Sequence, residues 1–149
     1  DKMRNLEVLG QTFSTLSSLD SDIEFTFVDE FSQTVYVVTT DKFLYIFKLD
    51  PFSLEFTRNE KVSLQEELIE EDKVIEMAFL AESDSLNLIT SNGEMLLYNL
   101  ATRELESIGA IPNGIFSARW NPSYDMVAIS TKNNTVLTMS PDFQPISEE

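Results

Sequence analysis

Apolar and polar residues alternate along most of this chain in short runs, and the runs repeat. The stretch from Val35 to Leu49 aligns without a gap on the stretch from Leu86 to Leu100, and a third copy starts at Met126, set against Leu86, and ends at Met139. Each copy reads as a strand, a tight polar turn and a second strand. Asn92-Gly93 has the composition of a type I′ hairpin turn, in which both central residues take positive φ. Asp41-Lys42 and Asn133-Asn134 fill the equivalent turns. Another apolar segment precedes each hairpin: Phe25 to Val28, Val74 to Leu80 and Ile115 to Trp120. A candidate fourth strand follows each one, within Leu54 to Leu64, at Glu104 to Ile108, and at Pro145-Ile146.

The unit is therefore four short antiparallel strands recurring every ~40–50 residues, which is the period and content of a β-propeller blade. Between Phe43 and Phe47 both strand faces are apolar, with Phe43, Tyr45 and Phe47 on one and Leu44 and Ile46 on the other. A sandwich strand exposes one face, whereas an inner blade strand is covered twice. The expected fold is all-β, a partial propeller of about three four-stranded antiparallel blades. The blades fall at approximately 22–64, 73–109 and 114–147 within a portion spanning 3–149. A β-sandwich whose strands resemble one another by chance is the competing architecture. Residues 1–2 read as additions before a natural start at Met3.

Two segments stand outside the pattern. Ser63 to Asp72 is rich in glutamate and reads as a solvated acidic loop. A short helix is the alternative, because Ser63 and Glu66 have capping-box spacing and Leu64 and Leu68 lie one helical turn apart. Leu6 to Leu9 reads as an outer strand that closes the last blade of a full propeller; where that blade is missing, the strand is expected to be mobile or re-paired elsewhere. An arc of about three blades leaves two apolar faces uncovered. This predicts either further blades in a longer protein or pairing of two copies through those faces.

Charge narrows the partners. The chain carries 26 Asp plus Glu against 10 Lys plus Arg, a formal net charge of −16. Nucleic-acid binding rests on phosphate neutralisation by cations, so direct binding to RNA or DNA is not expected of this segment. Anionic membrane surfaces are disfavoured for the same reason, and no apolar run approaches the ~18 residues of a membrane span. The acidity reads first as solubility and second as a face for a basic partner.

Chemistry is sparse. There is no histidine, which removes the commonest general base and metal ligand, and no cysteine, which removes disulfides and thiolate sites. The four glycines are scattered, without a phosphate-binding loop. Asp20-Ser21-Asp22-Ile23-Glu24 alternates acids like the start of a calcium loop. Phe25 stands where such a loop needs glycine, however, so these acids read as solvated linker residues. Glu66, Glu67, Glu70 and Glu71 could pair as acid and base only if something desolvated them, and they too read as solvated. Asn133-Asn134-Thr135 matches a glycosylation acceptor but reads as turn chemistry, and Trp120 reads as core. No residue is expected to be catalytic, to bind a cofactor or to hold a metal.

Several motifs resemble the largest subunit of the Elongator complex: Met3-Arg4-Asn5-Leu6, Asp50-Pro51 followed by Lys61-Val62-Ser63-Leu64, Gly114-Ile115-Phe116-Ser117-Ala118-Arg119-Trp120-Asn121-Pro122, and Met139-Ser140-Pro141-Asp142-Phe143-Gln144-Pro145-Ile146. They occur in the same order and cover nearly the whole chain. The resemblance implies a WD-repeat propeller at the N-terminus of a large scaffold with a second propeller, a helical repeat region and a C-terminal dimerisation part. It implies the other Elongator subunits as partners, transfer-RNA wobble-uridine modification as the process, and the cytoplasm, with the nucleus as a further location. The radical-SAM and acetyl-transfer chemistry belongs, in that family, to a different subunit. Its basic RNA-contacting segment lies near the C-terminus, without a counterpart in this acidic chain. The WD signature itself is degenerate, since Phe47-Lys48 and Tyr98-Asn99 stand where Trp-Asp would, and the usual His-Ser-Asp-Trp network lacks its histidine. An adaptor propeller of another intracellular complex is the alternative of the same class, and a propeller hydrolase the alternative from a different one.

Overall fold

The computed structural model describes residues 6–8, 11–13, 19, 21–143 and 145–148. Three four-stranded antiparallel sheets follow one another along the chain, each a simple meander. The first comprises β3 (Ile23–Asp29), β4 (Thr34–Thr39), β5 (Phe43–Leu49) and β6 (Phe56–Ser63). The second comprises β7 (Val74–Leu80), β8 (Ser85–Thr90), β9 (Glu94–Asn99) and β10 (Glu104–Ala110). The third comprises β11 (Ile115–Trp120), β12 (Val127–Thr131), β13 (Val136–Met139) and β14 (Pro145–Glu148). Ahead of them β1 (Leu6–Val8) pairs with β2 (Gln11–Phe13) in a two-stranded ribbon. The segment expected to close a distant blade is thus re-paired with its own neighbour; Leu9 lies outside the described residues, as do Asp1 to Asn5.

The chain divides into two compact units, Asp1–Glu66 and Glu67–Glu149. In the first, Val37, Tyr45 and Phe47 form a cluster on one face of the sheet, with Leu19, Val35, Phe43 and Phe56 packed against it. Tyr36, Val38, Leu44 and Ile46 on the opposite face are fully buried. The aromatic face is partly roofed by cations from β6. The Lys61 ammonium sits 4.5 Å from the Phe43 ring centre, and the Arg58 guanidinium 5.6 Å from that of Tyr45.

In the second unit two sheets pack face to face. Ala78, Leu80, Ile89 and Met95 meet Ile115, Ala118, Trp120, Val127 and Ile129 in one core. A polar joint runs through it. The Trp120 indole donates to Asn87 Oδ1 at 3.0 Å, and Asn87 Nδ2 donates to the Leu96 carbonyl at 3.1 Å. Asn87 is completely buried in the middle of β8, so these bonds are what make a polar side chain tolerable there. Trp120 is core, as its sequence context suggests, and its ring also meets Phe143 edge-on at 6.1 Å.

The repeat is written more fully in the backbone than in the residues. Each sheet has three hairpins, and each hairpin places one residue in the left-handed region. Between first and second strands these are Gln33, Asp84 and Tyr124; between second and third, Lys42, Gly93 and Asn134; between third and fourth, Leu54, Arg103 and Phe143. Each first strand also carries a bulge at its second residue, Glu24, Ile75 or Phe116, where the register with the second strand shifts.

The central hairpins correct the expected turn type. Gly93 takes φ +98°, but Asn92 does not take positive φ. Gly93 N–H donates to the Thr90 carbonyl at 3.0 Å, so Ser91-Asn92-Gly93 is a three-residue loop, a tight turn followed by a left-handed residue, rather than type I′. Lys42 on Thr39 and Asn134 on Thr131 repeat it, at 2.9 and 3.1 Å. The threonine that opens each loop is buried. The third hairpin is therefore displaced by one residue from the gapless alignment: Thr131, not Ser130, is the counterpart of Thr90.

Ser63 to Asp72 contains no helix: Ser63 ends β6 and turns follow. It is not fully solvated, however, because Leu64, Leu68 and Asp72 are buried within it.

Candidate interaction surface

The meander gives every sheet two edges of different content. One edge carries the central hairpin. The other carries the two outer hairpins, since strands run alternately up and down.

At the central-hairpin edge, acidic side chains are engaged in holding loops. In the first unit Glu24 and Lys42 form an ion pair at 2.7 Å, with only 4% of each side chain accessible. The sequence grouped Glu24 with solvated linker acids. Instead the β-bulge turns it inward onto the left-handed lysine of the hairpin, and a buried charge persists only when so paired. Asp22 is exposed and Asp20 lies outside the described residues. The Thr39 hydroxyl donates to Asp41, which holds the Asp41 carboxyl below its usual range.

In the second unit Asp72 Oδ1 accepts from the backbone N–H of Lys73 and of Asn92, each at 2.9 Å, and from the Ser91 hydroxyl at 3.1 Å. One buried carboxylate thereby ties the segment entering β7 to the β8–β9 loop. Glu66, Glu70 and Glu71 are exposed and Glu67 is half-buried; none of them is desolvated as an acid–base pair requires.

Glu76 is the one carboxylate that packing does perturb upward among the described residues. Burial raises its pKa above the ordinary glutamate value, against a hydrogen bond donated to Oε2 by the Trp120 N–H at 2.9 Å. It lies between two sheets, on the backbone of the residue whose indole bonds Asn87. Its role is to satisfy a backbone donor. Asn133 and Asn134 form the β12–β13 loop, with the Thr131 hydroxyl accepting from Asn133 N–H, so turn geometry accounts for them. Among the described residues no group of three or more His, Cys, Asp or Glu converges as a metal site.

The outer-hairpin edge differs between the sheets. In the first sheet it presents Phe31, fully exposed, Phe52 at 95% and Leu54 at 67%. The turns beneath are ordered. The Ser32 hydroxyl donates to Asp29 at 2.6 Å, Asp50 Oδ1 accepts from Phe52 N–H at 2.8 Å, and Leu49 N–H donates to the Gln33 carbonyl at 3.2 Å, linking the two hairpins. The second sheet builds the same turns with Glu82, Ala101 and Arg103, and Asn99 Oδ1 there accepts from Ala101 and Thr102 N–H, both at 2.9 Å. The composition alone did not single out these aromatics. The signal was available in Phe31 and Phe52 standing inside turn segments rather than strands.

The family model described as the ELP1 first N-terminal beta-propeller matches residues 3–149. Elongator complex protein 1 of Oryctolagus cuniculus is 31% identical over 70% of this chain, and its counterpart in Saccharomyces cerevisiae is 26% identical over 98%. The chain spans 8% and 12% of those two proteins. Among solved structures, the WD40 domain of Toxoplasma gondii coronin superposes with a TM-score of 0.64 at 16% identity, covering 93% of this chain and 35% of that one. A Lactobacillus plantarum protein superposes at 0.69 with 10% identity, covering 98% of this chain and 48% of that one. Likeness at such low identity shows the fold, a WD40-type β-propeller segment.

Proposed function

This chain belongs to the family of the first N-terminal β-propeller of ELP1, and from that premise we propose that it is a non-catalytic scaffold module of the Elongator complex. It supports transfer-RNA wobble-uridine modification through protein–protein contacts, in the cytoplasm. The match of residues 3–149 to the family carries the reading. The chemistry of the chain agrees with it, because a protein without histidine or cysteine has few groups that titrate or bind metals near neutral pH. We assign no residue a catalytic, cofactor-binding or metal-binding role. Its partners are the other Elongator subunits, met through turns on the propeller edges, where side chains vary without disturbing the sheets. The net charge of −16 disfavours direct contact with transfer RNA.

The test is reconstitution. The purified chain, mixed with purified Elongator subunits, is expected to co-elute with at least one of them and to give no shift of labelled transfer RNA on its own. Failure to join any subunit removes the scaffold role proposed for this segment. Tight, salt-sensitive RNA binding removes the purely protein-directed mechanism.

A further inference from the structure

The outer-hairpin edge of the first sheet carries three large apolar side chains that the fold does not need. Phe31 and Phe52 stand almost wholly in solvent, and Leu54 two-thirds so, on two hairpins joined through the Leu49–Gln33 hydrogen bond. The hairpins are two strand spacings apart, about 10 Å. The second sheet makes the same two turns, with the same left-handed residues in register, from Glu82, Ala101 and Arg103. The turn geometry therefore does not select aromatics. Leu54 bears a double cost, since it holds φ +60° with a branched side chain and exposes two-thirds of its surface. Arg103 shows that a polar residue fits that backbone position.

Acidic groups border the patch. Glu30 adjoins Phe31, and Asp50 and Glu55 bracket Phe52 and Leu54, with Lys48 the neighbouring cation on β5. We propose that this edge is a docking surface for a basic amphipathic polypeptide segment of a partner subunit, its apolar side chains seated on Phe31, Phe52 and Leu54 and its lysines or arginines facing Glu30, Asp50 and Glu55. The choice of occupant follows from charge. A second copy of this chain carries the same acids on the same edge, within a net charge of −16, and repels itself. Nucleic acid is repelled likewise. The inference rests on the scaffold reading above and specifies which surface and which partner chemistry serve it.

The experiment compares the whole chain with a triple variant, Phe31→Ser, Phe52→Ser and Leu54→Asn, and with a control triple on the second sheet, Glu82→Ser, Ala101→Ser and Arg103→Asn. All substituted side chains are exposed, so unchanged thermal midpoints confirm that all three fold. The probe is a fluorescein-labelled amphipathic peptide of leucine and lysine, read by anisotropy, with a leucine–glutamate peptide as its counterpart. The unsubstituted chain and the control are expected to bind the lysine peptide. The Phe31/Phe52/Leu54 variant should bind about tenfold more weakly or worse, and none should bind the glutamate peptide. Equal binding by all three proteins overturns the proposal. Reconstitution with purified Elongator subunits separates the two readings. If the unsubstituted chain joins them and the edge variant joins as well, the edge is wrong and the scaffold reading stands. If the unsubstituted chain joins none, the scaffold reading falls and the peptide comparison alone decides the edge. A dimer in sedimentation that the edge variant dissolves would overturn the basic partner in favour of a second copy.

Discussion

The second and third sheets are both four-stranded meanders and differ in how many of their faces are buried. In β8 every residue from Ser85 to Thr90 is buried, whereas β12 alternates, with Val127, Ile129 and Thr131 buried and Ala128 open. The first-strand bulge and the central-hairpin register correspond in the two sheets, so neither causes the difference. The second sheet packs Ala78, Leu80 and Ile89 against the third, and its other face, with Met77, Leu86, Leu88 and Leu96, is buried too. The third is covered on one face and presents Ser117, Arg119, Ala128 and Val136 on the other. Two strands of the same fold thus read as a continuous apolar run and as an alternating one, according to what each face meets.

Substitutions sharpen or break this contrast. Leu88→Ala, on the fully buried far face of β8, is expected to cost about 3 kcal/mol of unfolding free energy by chemical denaturation. A cost under ~1 kcal/mol would mean that this face is not packed. Gly93→Ala comes next, at about 2 kcal/mol. The glycine sits at φ +98°, and an added Cβ would lie 2.2 Å from the Ile111 carbonyl oxygen, where Lys42 and Asn134 in the other sheets already carry side chains. Full tolerance of alanine would show that the loop linking β10 to β11 is not fixed over the hairpin.

Glu76→Gln tests the joint between the sheets. A carboxyl whose pKa is raised on folding favours the fold below its ordinary value, 4.5, and that contribution is lost as pH rises through the raised value. The amide stays neutral and retains an oxygen for Trp120 N–H. The variant's thermal midpoint is expected to match the unsubstituted chain near pH 4 and to exceed it near neutrality by a few degrees at most. Parallel curves would locate the acid-side titration elsewhere. Smallest is Val136→Thr on the open face of the third sheet, expected within about 0.5 kcal/mol; a loss equal to that of Leu88→Ala would dissolve the comparison altogether.

Strands were legible because apolar alternation is what sheets need: Val74–Leu80 and Ile115–Trp120 stand where the pattern puts them. Turns were legible only in part. Asn92-Gly93 and Asn133-Asn134 announce left-handed residues, while Gln33, Leu54, Tyr124 and Phe143 adopt the same geometry without any residue preference to betray it. The type of the central turn escaped because it is set by the loop length and the threonine that opens it, not by the Asn-Gly pair alone. Glu24 and Asp72 looked like members of solvated acidic stretches. Their burial depends on a bulge and on a hairpin from another part of the chain, and neither is visible in local composition. The patch at Phe31, Phe52 and Leu54 was missed for a different reason: Phe31 and Phe52 fall between the strands the pattern assigns, where local composition says nothing of exposure, and Leu54 heads a segment read as a strand.

The joint between Asn87 and Trp120 bears on the order of events during synthesis. Each sheet is a meander whose strands pair with their immediate neighbours in sequence, so little chain entropy opposes its closure and it can form soon after leaving the ribosome. The second sheet nevertheless emerges with an asparagine at its centre whose side-chain oxygen accepts from an indole N–H 33 residues downstream. Until the tryptophan arrives, that oxygen must keep water, and the face around it cannot dry. The nascent sheet therefore waits, paired but hydrated, for its successor to complete it, and is most open to aggregation while it stands outside the ribosome with Trp120 still inside.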